Sequence, residues 1–328
     1  MSSRIAATGL LAVALSGCVT LDGFLFNGVP CGDVGPSTCA DKSYWDQVCT
    51  TCDADYAWDR DYEWFDETLE AGESIRAIDP GRIIDADLTR PDGTILDAYV
   101  IPAHGDQPEN AEITLVYHHG NYAGIEHYLP RIRMAHEAGY TVYVWDYRGF
   151  GKTTDTAPPT PEVWWADAQA VRDQLDSLAA DGTLPDADKL LIYANSLGAL
   201  PAVEMSLYQP GCALVLEAGF TSIEALAGSN SGVFVPDSLL TSGAFDNMEK
   251  IKGYDSPLLA MIGSEDETFR EEDVAQLVEN AATADSLKEV WELPGVHHGI
   301  TSIGIPDAGY GAWADKLNEF MDRTEACR

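Results

Sequence analysis

Positively charged side chains are scarce in this chain of 328 residues. It holds 19 Lys and Arg against 54 Asp and Glu, which gives a formal net charge of -35 at pH 7. Because such a surface repels nucleic-acid phosphates and anionic lipid headgroups, the composition excludes nucleic acid as a partner. The same repulsion favours neutral or cationic small-molecule substrates over anionic ones. The excess acid suits either a saline habitat, in which salt screens the self-repulsion, or ordinary solubility.

Long hydrophobic runs are also missing. The apolar run from Ile5 to Leu15 follows a single positive charge at Arg4 and is too short to span about 30 Å of hydrocarbon as a helix. Small residues then precede Cys18, and this order predicts a secretory signal over residues 1–17. The end of that segment resembles the lipobox of bacterial lipoproteins, which implies lipidation at Cys18 and a membrane anchor in the cell envelope. A plain cleaved signal is the alternative.

The residue after Cys18 bears on where such a lipoprotein would be sent. Val19 in this position resembles lipoproteins sorted to the outer membrane, although that sorting rule varies between organisms. We therefore expect an exported protein of the bacterial cell envelope, and the choice between inner and outer membrane stays open.

A paired CxxC…CxxC pattern is absent from the cysteines. There are seven, and if Cys18 is lipidated, six remain, an even number that favours disulfides in an exported chain. Four of them predict a stapled, aromatic-rich N-terminal extension over residues 18–72: Cys31, Cys39, Cys49 and Cys52. A structural zinc site is the rival interpretation for these four, but their spacing favours disulfides and no metal. We expect the aromatic rings around them to pack onto the main domain, with stacking on sugars as the alternative.

From about residue 73 onward, short apolar runs alternate with amphipathic stretches, without internal repeats. An Asp-Gly turn at Asp92 and Gly93 predicts an opening antiparallel hairpin. Buried strands are predicted at 113–117, 141–145, 190–193, 213–216, 258–262 and 289–293. Helices are predicted at 125–138, 161–179, 197–207, 271–282 and 311–321. This alternation predicts one α/β domain over residues 73–328, with a mostly parallel, doubly wound sheet.

Three predicted strand ends carry the residue types of nucleophilic catalysis, and such sheets place active sites at the carboxyl ends of their strands. Ser196 lies in Ala194-Asn195-Ser196-Leu197-Gly198, which departs only at its first residue from G-x-S-x-G, the turn that exposes a serine before a helix. Asp266 follows a later strand, and His297 and His298 follow the last one. A serine needs an imidazole to take its proton and a carboxylate to fix the imidazole tautomer. The order serine, acid, histidine therefore predicts a triad, although each residue taken singly also suits a helix cap or a solvated loop.

Acyl transfer also needs backbone N–H donors for the oxyanion. The loop His118-His119-Gly120-Asn121 follows the first buried strand, and the expected donors are the amides of Asn121 and of Leu197, directly after the serine. We expect His119 to order this loop rather than to transfer protons.

Together these segments resemble the α/β-hydrolase superfamily, close to bacterial serine hydrolases with a small cap, the Bem46 type. The matching segments span nearly all of residues 73–328: HHGN at 118–121, DYRGFGKT at 146–153, ANSLGA at 194–199, AGFTSI at 218–223, GSED at 263–266 and PGVHH at 294–298. The resemblance implies the α/β-hydrolase fold, hydrolysis of esters, or less often of amides or thioesters, and no cofactor. It also implies that His298 rather than His297 is the base, and that the segment from Asp146 to Gly151 is structural.

Two further predictions concern the rest of the domain. A short cap is expected over 221–255, whose apolar residues either line an acyl pocket or pack on the sheet: Ile223, Leu226, Val233, Phe234, Val235, Leu239, Leu240 and Phe245. In a doubly wound sheet, helices run antiparallel to strands. The start of the strand at 213 and the end of the last helix therefore lie at the same end of the sheet, away from the active site, which predicts a disulfide between Cys212 and Cys327.

The main hypothesis is an envelope-anchored serine esterase that acts through an acyl-enzyme. The alternative is a non-catalytic binding or scaffolding lipoprotein on the same fold. The sequence does not indicate an oligomeric state or a particular substrate.

Overall fold

The computed structural model describes Trp58 and residues 75–121, 124–155, 159–230, 245–298 and 309–328, except for the side chains of 227–230. The predicted signal and five cysteines lie outside the described residues: Cys18, Cys31, Cys39, Cys49 and Cys52. In the part that is described, no helix is long and apolar enough to cross a membrane. Trp58, in the predicted extension, is buried and meets the ring of Tyr99 edge-on, with 5.2 Å between centroids. At this position an aromatic ring packs on the main domain, as expected.

A sheet of eight strands forms the centre of the described structure. Its strands are β1 (Ile84–Asp85), β4 (Ala98–Ile101), β5 (Thr114–His118), β6 (Thr141–Trp145), β7 (Leu190–Asn195), β8 (Ala213–Glu217), β9 (Leu258–Gly263) and β10 (Lys288–Leu293). Their order is β1-β4-β6-β5-β7-β8-β9-β10. Strand β4 pairs antiparallel with β1 and β6, and every other pairing in this sheet is parallel. The predicted mostly parallel sheet is confirmed.

The predicted opening hairpin is a separate two-stranded unit. Strands β2 (Leu88–Thr89) and β3 (Ile95–Leu96) pair antiparallel across the turn. Gly93 has a φ of 89°, a conformation that costs glycine little and suits the tip of a tight turn. After Asp97 the chain leaves this hairpin and enters the main sheet as β4.

Helices cover both faces of the sheet. They are α1 (Leu129–Glu137), α2 (Pro161–Ala180), α3 (Ala199–Tyr208), α4 (Ile223–Asn230), α5 (Asn247–Lys250), α6 (Glu271–Asn280) and α7 (Tyr310–Thr324). Strand β7 shows how the two cores are divided, because successive side chains of a strand point to opposite faces. Leu191 and Tyr193 join the core under α1 and α7, whereas Leu190, Ile192 and Ala194 join the core under α2, α3 and α6.

The disulfide predicted from the topology is present. Cys212, just before β8, is joined to Cys327, just after α7, with 5.0 Å between their Cα atoms. It fastens the last helix to the amino end of the sheet.

The cap is more regular than its Ser- and Gly-rich sequence suggests, because its described parts form α4, α5 and a short 3-10 turn over Ile251–Gly253. Phe245 is buried, and its ring lies 5.7 Å from that of Trp165. Ile223 and Leu226 are half-buried against the core. The cap residues that are described therefore pack on the domain. Five of the predicted acyl-pocket residues lie outside the described part of the chain: Val233, Phe234, Val235, Leu239 and Leu240.

Candidate active site

The turn after β7 carries backbone strain at the predicted nucleophile. Ser196 has a φ of 50°, in the left-handed region that residues with a Cβ seldom adopt. Ser196–Gly198 then form a 3-10 turn that leads into α3. Ala194, which replaces the first glycine of the motif, is completely buried in the core. Its methyl group is thus accommodated by the packing beneath the turn.

Gly198, the last residue of the motif, is required by close packing. A Cβ atom there would lie 2.3 Å from the carbonyl oxygen of His118 and 2.6 Å from that of His119. Both are backbone atoms, so they cannot move aside as a flexible side chain can. The start of α3 is therefore in direct contact with the loop that follows β5.

Three predicted residues meet at the carboxyl end of the sheet. Ser196 Oγ lies 2.9 Å from His298 Nε2, and His298 Nδ1 lies 2.8 Å from Asp266 Oδ2. The side chains of His298 and Asp266 are only 6% and 1% exposed, so water screens this pair little. An ionised carboxylate only accepts hydrogen bonds, so Nδ1 carries the proton and Nε2 is left to accept the proton of the serine.

The acid is held in place by its own turn. Asp266 Oδ1 accepts hydrogen bonds from the backbone N–H groups of Thr268 and Phe269, both at 2.8 Å. The other carboxylate oxygen is thereby left to His298.

The turns after β9 and β10 are fastened to each other. Ser264 N–H donates to the carbonyl oxygen of Leu293 at 3.0 Å, and Glu265 N–H donates to that of Val296 at 3.0 Å. The packing is close, because a Cβ atom at Gly263 would lie 2.0 Å from the carbonyl oxygen of Val296. The acid and the histidine are thus carried by one joined pair of loops.

The two adjacent histidines occupy different environments. His298 faces Ser196, whereas the side chain of His297 is 48% exposed and lies between two carboxylates, 3.4 Å from Glu265 and 3.5 Å from Glu267. Glu267 also accepts a 3.3 Å hydrogen bond from the backbone N–H of His298. The sequence did not single out Glu267, because a carboxylate is unremarkable in so acidic a chain.

The loop after β5 is ordered by His119, as expected. This imidazole is buried, lies 3.3 Å from Asp146 through Nε2, and stacks on Tyr147 at 4.1 Å between ring centroids. The Tyr147 hydroxyl donates to the carbonyl oxygen of His119 at 2.8 Å, and Asp146 also accepts a hydrogen bond from the backbone N–H of Ile125 at 2.9 Å. Asp146 and Tyr147 belong to the segment expected to be structural, and they support the loop.

Asn121 and Leu197, the predicted oxyanion donors, lie in the two segments that Gly198 brings into contact. Leu197 is buried directly after the serine, and Asn121 lies in the loop after β5. Their role as donors is taken up in the proposal below.

Two buried groups near this end of the sheet have displaced pKa values. Burial, together with the nearby charge of Asp146, raises the pKa of Asp97 to about 7. Burial also lowers the pKa of His118 to about 3, which keeps that imidazole neutral. Among the described residues, no group of three or more His, Cys, Asp or Glu side chains is arranged to hold a metal ion.

One charged group at the carboxyl end escaped sequence analysis. Glu217, the last residue of β8, is buried and accepts a hydrogen bond from Asn195, directly before the nucleophile, at 3.0 Å. The sequence signal for this residue is a carboxylate at the end of an otherwise apolar run. The sequence does not reveal which residues Glu217 contacts, because they lie far from it along the chain.

Comparison with known proteins agrees with the fold. A model of the alpha/beta hydrolase family matches residues 115–316. Alpha/beta hydrolase domain-containing protein 17B of Homo sapiens is 25% identical over 217 residues, which cover 65% of this chain and 68% of the human protein. An uncharacterized protein of Mycobacterium tuberculosis is 30% identical over 163 residues, which cover 50% of this chain and 54% of that protein. The matches thus span between about half and two thirds of these relatives.

Solved structures share the architecture at low sequence identity. An esterase of Pyrococcus furiosus aligns with a TM-score of 0.57 at 17% identity, over 78% of this chain and 99% of that one. A thermophilic esterase of Thermogutta terrifontis, solved with butyrate bound, aligns with a TM-score of 0.54 at 16% identity, over 72% and 92%. At such identities the likeness shows the fold alone. With the family model matching more than half of its length, the chain belongs to the alpha/beta hydrolase family.

Proposed function

We propose that this protein is a serine hydrolase that cleaves carboxylic esters through an acyl-enzyme. The observation that carries the proposal is the unbroken hydrogen-bond chain from Ser196 through His298 to Asp266, with contacts of 2.9 Å and 2.8 Å. Such a chain activates a hydroxyl that is otherwise a weak nucleophile. The strained backbone at Ser196 supports the same role, because strain of this kind clusters at functional sites.

The reaction follows from this geometry in two halves. As Ser196 Oγ attacks the ester carbonyl carbon, His298 Nε2 takes the serine proton, and the amides of Leu197 and Asn121 donate to the oxyanion. His298 then passes the proton to the leaving alcohol, and the acyl group stays on the serine. In the second half a water molecule attacks the acyl carbon, His298 takes the proton of that water, and the carboxylic acid leaves as Ser196 regains its hydrogen. Asp266 stays ionised throughout and stabilises the imidazolium.

Charge favours neutral or cationic esters as substrates. The net charge is -35, and Glu265 and Glu267 stand beside the triad with side chains 60% and 45% exposed. An anionic ester would be repelled on approach. Esters of short to medium acyl chains are the first candidates, since the segment expected to form the cap, 221–255, is short and an esterase of this fold was solved with butyrate. Amides and thioesters are the alternative substrates.

Labelling with a fluorophosphonate probe tests the serine mechanism. We expect the folded protein to be labelled in neutral buffer, with and without added salt, and Ser196→Ala to abolish labelling without lowering the melting temperature. The matched control is Ser206→Ala, which removes a buried hydroxyl on α3 away from the triad. A folded wild-type protein that resists the probe would instead support a non-catalytic binding or scaffolding protein.

A substrate panel tests the ester assignment. p-Nitrophenyl esters of increasing acyl length are compared with aminoacyl amides, and a cationic ester with an anionic one of equal size. Short to medium esters should give the highest kcat/KM, and the cationic ester should exceed the anionic one by a margin that salt reduces. Amide turnover above ester turnover would reassign the reaction.

We also propose that lipidation of Cys18 anchors the enzyme to the cell envelope. The support is the sequence pattern before Cys18, and residues 18–72 would then lie between the anchor and the catalytic domain. Cys18→Ser in the full chain should move the protein from the membrane fraction to the soluble fraction while ester turnover persists. Unchanged membrane association in that variant would reject the anchor.

A further inference from the structure

A buried polar network lies beneath the nucleophile turn, on the side of the sheet covered by α1 and α7. Arg131 Nε donates to Glu217 Oε1 at 2.9 Å, and the Tyr193 hydroxyl donates to Glu217 Oε2 at 2.6 Å. Trp313 Nε1–H in turn donates to the Tyr193 hydroxyl at 3.0 Å. The side chains of Arg131 and Glu217 are only 8% and 2% exposed. Separating the two groups would leave each charge buried without its partner, which is strongly destabilising. The ion pair therefore holds the Glu217 carboxylate in one position.

The network reaches the residue before the nucleophile. Asn195 and Glu217 are paired in register on the neighbouring strands β7 and β8, and Asn195 Nδ2 donates to Glu217 Oε1 at 3.0 Å. A carboxylate accepts hydrogen bonds and cannot donate them, so the amide nitrogen of Asn195 faces Glu217 and its oxygen faces the other way. Glu217 thereby fixes the orientation of the Asn195 amide.

The oxygen of that amide faces the loop after β5. A Cβ atom at Gly120 would lie 2.7 Å from Asn195 Oδ1 and 2.6 Å from the Tyr128 hydroxyl. The backbone of the loop is therefore seated directly against the Asn195 side chain, one residue before the predicted oxyanion donor Asn121. Asn195 stands between the nucleophile turn and this loop and touches both.

We propose that Asn195 is a positioning residue that sets the position of the loop after β5 relative to the nucleophile turn. The ion pair of Arg131 and Glu217 in turn fixes Asn195. The inference rests on the proposed hydrolase function and names a part of its machinery. The two oxyanion donors come from the two segments that Asn195 joins, since Leu197 follows Ser196 and Asn121 follows Gly120. An error of about 1 Å between such segments is enough to slow a reaction on the order of 100-fold.

The expected kinetic signature is a loss of kcat with little change in KM. Oxyanion donors are engaged far more strongly in the tetrahedral transition state than in the bound ester, so their displacement weakens transition-state binding selectively. For Asn195→Ala we expect kcat to fall by roughly 10- to 100-fold while KM stays within about twofold. The rate advantage of an oxygen ester over its thionoester, which depends on hydrogen bonds to the oxyanion, should shrink in the same variant.

A matched control separates positioning from stability. Asn110, like Asn195, is a buried asparagine, and its Nδ2 donates to the backbone carbonyl of Ala138 at 2.8 Å, away from the triad. Asn110→Ala should lower the melting temperature at least as much as Asn195→Ala, because it also removes a 3.4 Å hydrogen bond from Asn110 Nδ2 to Asn318 Oδ1. Its kcat and its thionoester ratio should stay at the wild-type values.

The ion pair is tested through its dependence on Asn195. Glu217→Leu alone removes the carboxylate that faces the buried Arg131 guanidinium and is expected to fold poorly, so it is combined with Arg131→Met, which removes both charges together. If Glu217 acts through Asn195, the pair variant lowers kcat in the wild-type background but lowers it by less than about twofold after Asn195→Ala. Full additivity of the two effects on kcat would reject that route.

The outcomes distinguish the inference from the function on which it rests. A wild-type protein with neither ester turnover nor probe labelling would reject both. An active wild type in which Asn195→Ala keeps its kcat and its thionoester ratio would overturn the inference alone. A fall in kcat that Asn110→Ala matches would also overturn it, because the loss would then follow stability.

Discussion

The two ends of the central sheet are held by different means. At the carboxyl end, loops contact one another through backbone and side-chain hydrogen bonds, as between the turns after β9 and β10 and within the triad. At the amino end, Cys212 and Cys327 form a covalent bond between β8 and the last helix. The triad arrangement thus depends on hydrogen bonds and close backbone packing. The opposite end is held by a disulfide and lies away from the triad. Changes at the first end should alter rate, and changes at the second should alter stability.

The largest effect is expected from the histidine that faces the serine. His298→Ala removes the group 2.9 Å from Ser196 Oγ and should lower kcat by roughly 10³ or more, with the melting temperature nearly unchanged. His297→Ala is the matched control, because this neighbouring side chain is 48% exposed and lies beside the carboxylates of Glu265 and Glu267 rather than beside Ser196. Ester turnover of the two purified variants makes the comparison. An inactive His297→Ala beside an active His298→Ala would move the base by one residue.

The contact between the nucleophile turn and the loop after β5 is tested by Gly198→Ala. The added Cβ would lie 2.3 Å from a backbone oxygen, so the two segments must separate, which should cost about 1–3 kcal/mol of stability and lower kcat by roughly 10-fold or more. Gly182→Ala is the control, because Gly182 has a φ of 85° but open space around it. It should cost about 1–2 kcal/mol and leave kcat unchanged. Equal kcat in the two variants would contradict the role given to this contact.

The sequence predicts those features of the carboxyl end that can be recognised from residues close together in the chain. Ser196 and Asp266 each follow a continuous apolar run, and the strands predicted from those runs differ from the observed ones by only one or two residues at their ends. The pairing of Cys212 with Cys327 followed from the direction of the strands and helices. These features need only the chain pattern and the rules of parallel sheets.

The features that were missed depend on contacts between distant residues. Arg131 and Glu217 are 86 positions apart, and each is unremarkable in its own segment. The cap helices α4 and α5 were not predicted because Ser and Gly dominate their surroundings, and packing overrides such weak propensities. Glu267 differs from the other acidic residues in that its carboxylate contacts His297 and the backbone N–H of His298. Composition does not reveal such contacts.

Removing the disulfide tests the amino end of the sheet. The bond links residues 115 positions apart, and replacing both Cys212 and Cys327 by Ala should lower the free energy of unfolding by about 2–4 kcal/mol. The triad lies at the other end, so kcat at a temperature well below the melting point should be unchanged. Denaturant unfolding and ester turnover of the double variant measure the two quantities. A fall in kcat beyond about twofold in the fully folded variant would show that the two ends are coupled.

The last prediction concerns how stability varies with pH, and it belongs to the carboxyl end. Burial and the charge of Asp146 raise the pKa of Asp97 to about 7, above the value of about 3.9 for an unfolded aspartate. A raised folded-state pKa gives stability that is complete below about pH 3.9 and is lost as pH rises to about 7, with a slope below about 1.4 kcal/mol per pH unit for one proton. Asp97→Asn cannot ionise but keeps an oxygen to accept the Tyr99 hydroxyl, which donates to Asp97 at 2.9 Å.

The measurement is the difference in free energy of unfolding between Asp97→Asn and wild type at several pH values. That difference should move in favour of the variant as pH rises from about 4 to about 7, because only the wild type must bury a second charge beside Asp146. Carboxylates that do not interact with Asp97 change the stability of both proteins equally and cancel in the comparison. Cys212→Ala with Cys327→Ala is the control from the amino end, since its difference from wild type should stay constant over the same range. A difference for Asp97→Asn that is equally flat would mean that Asp97 is already ionised at about pH 4, and that this end of the sheet tolerates two buried charges.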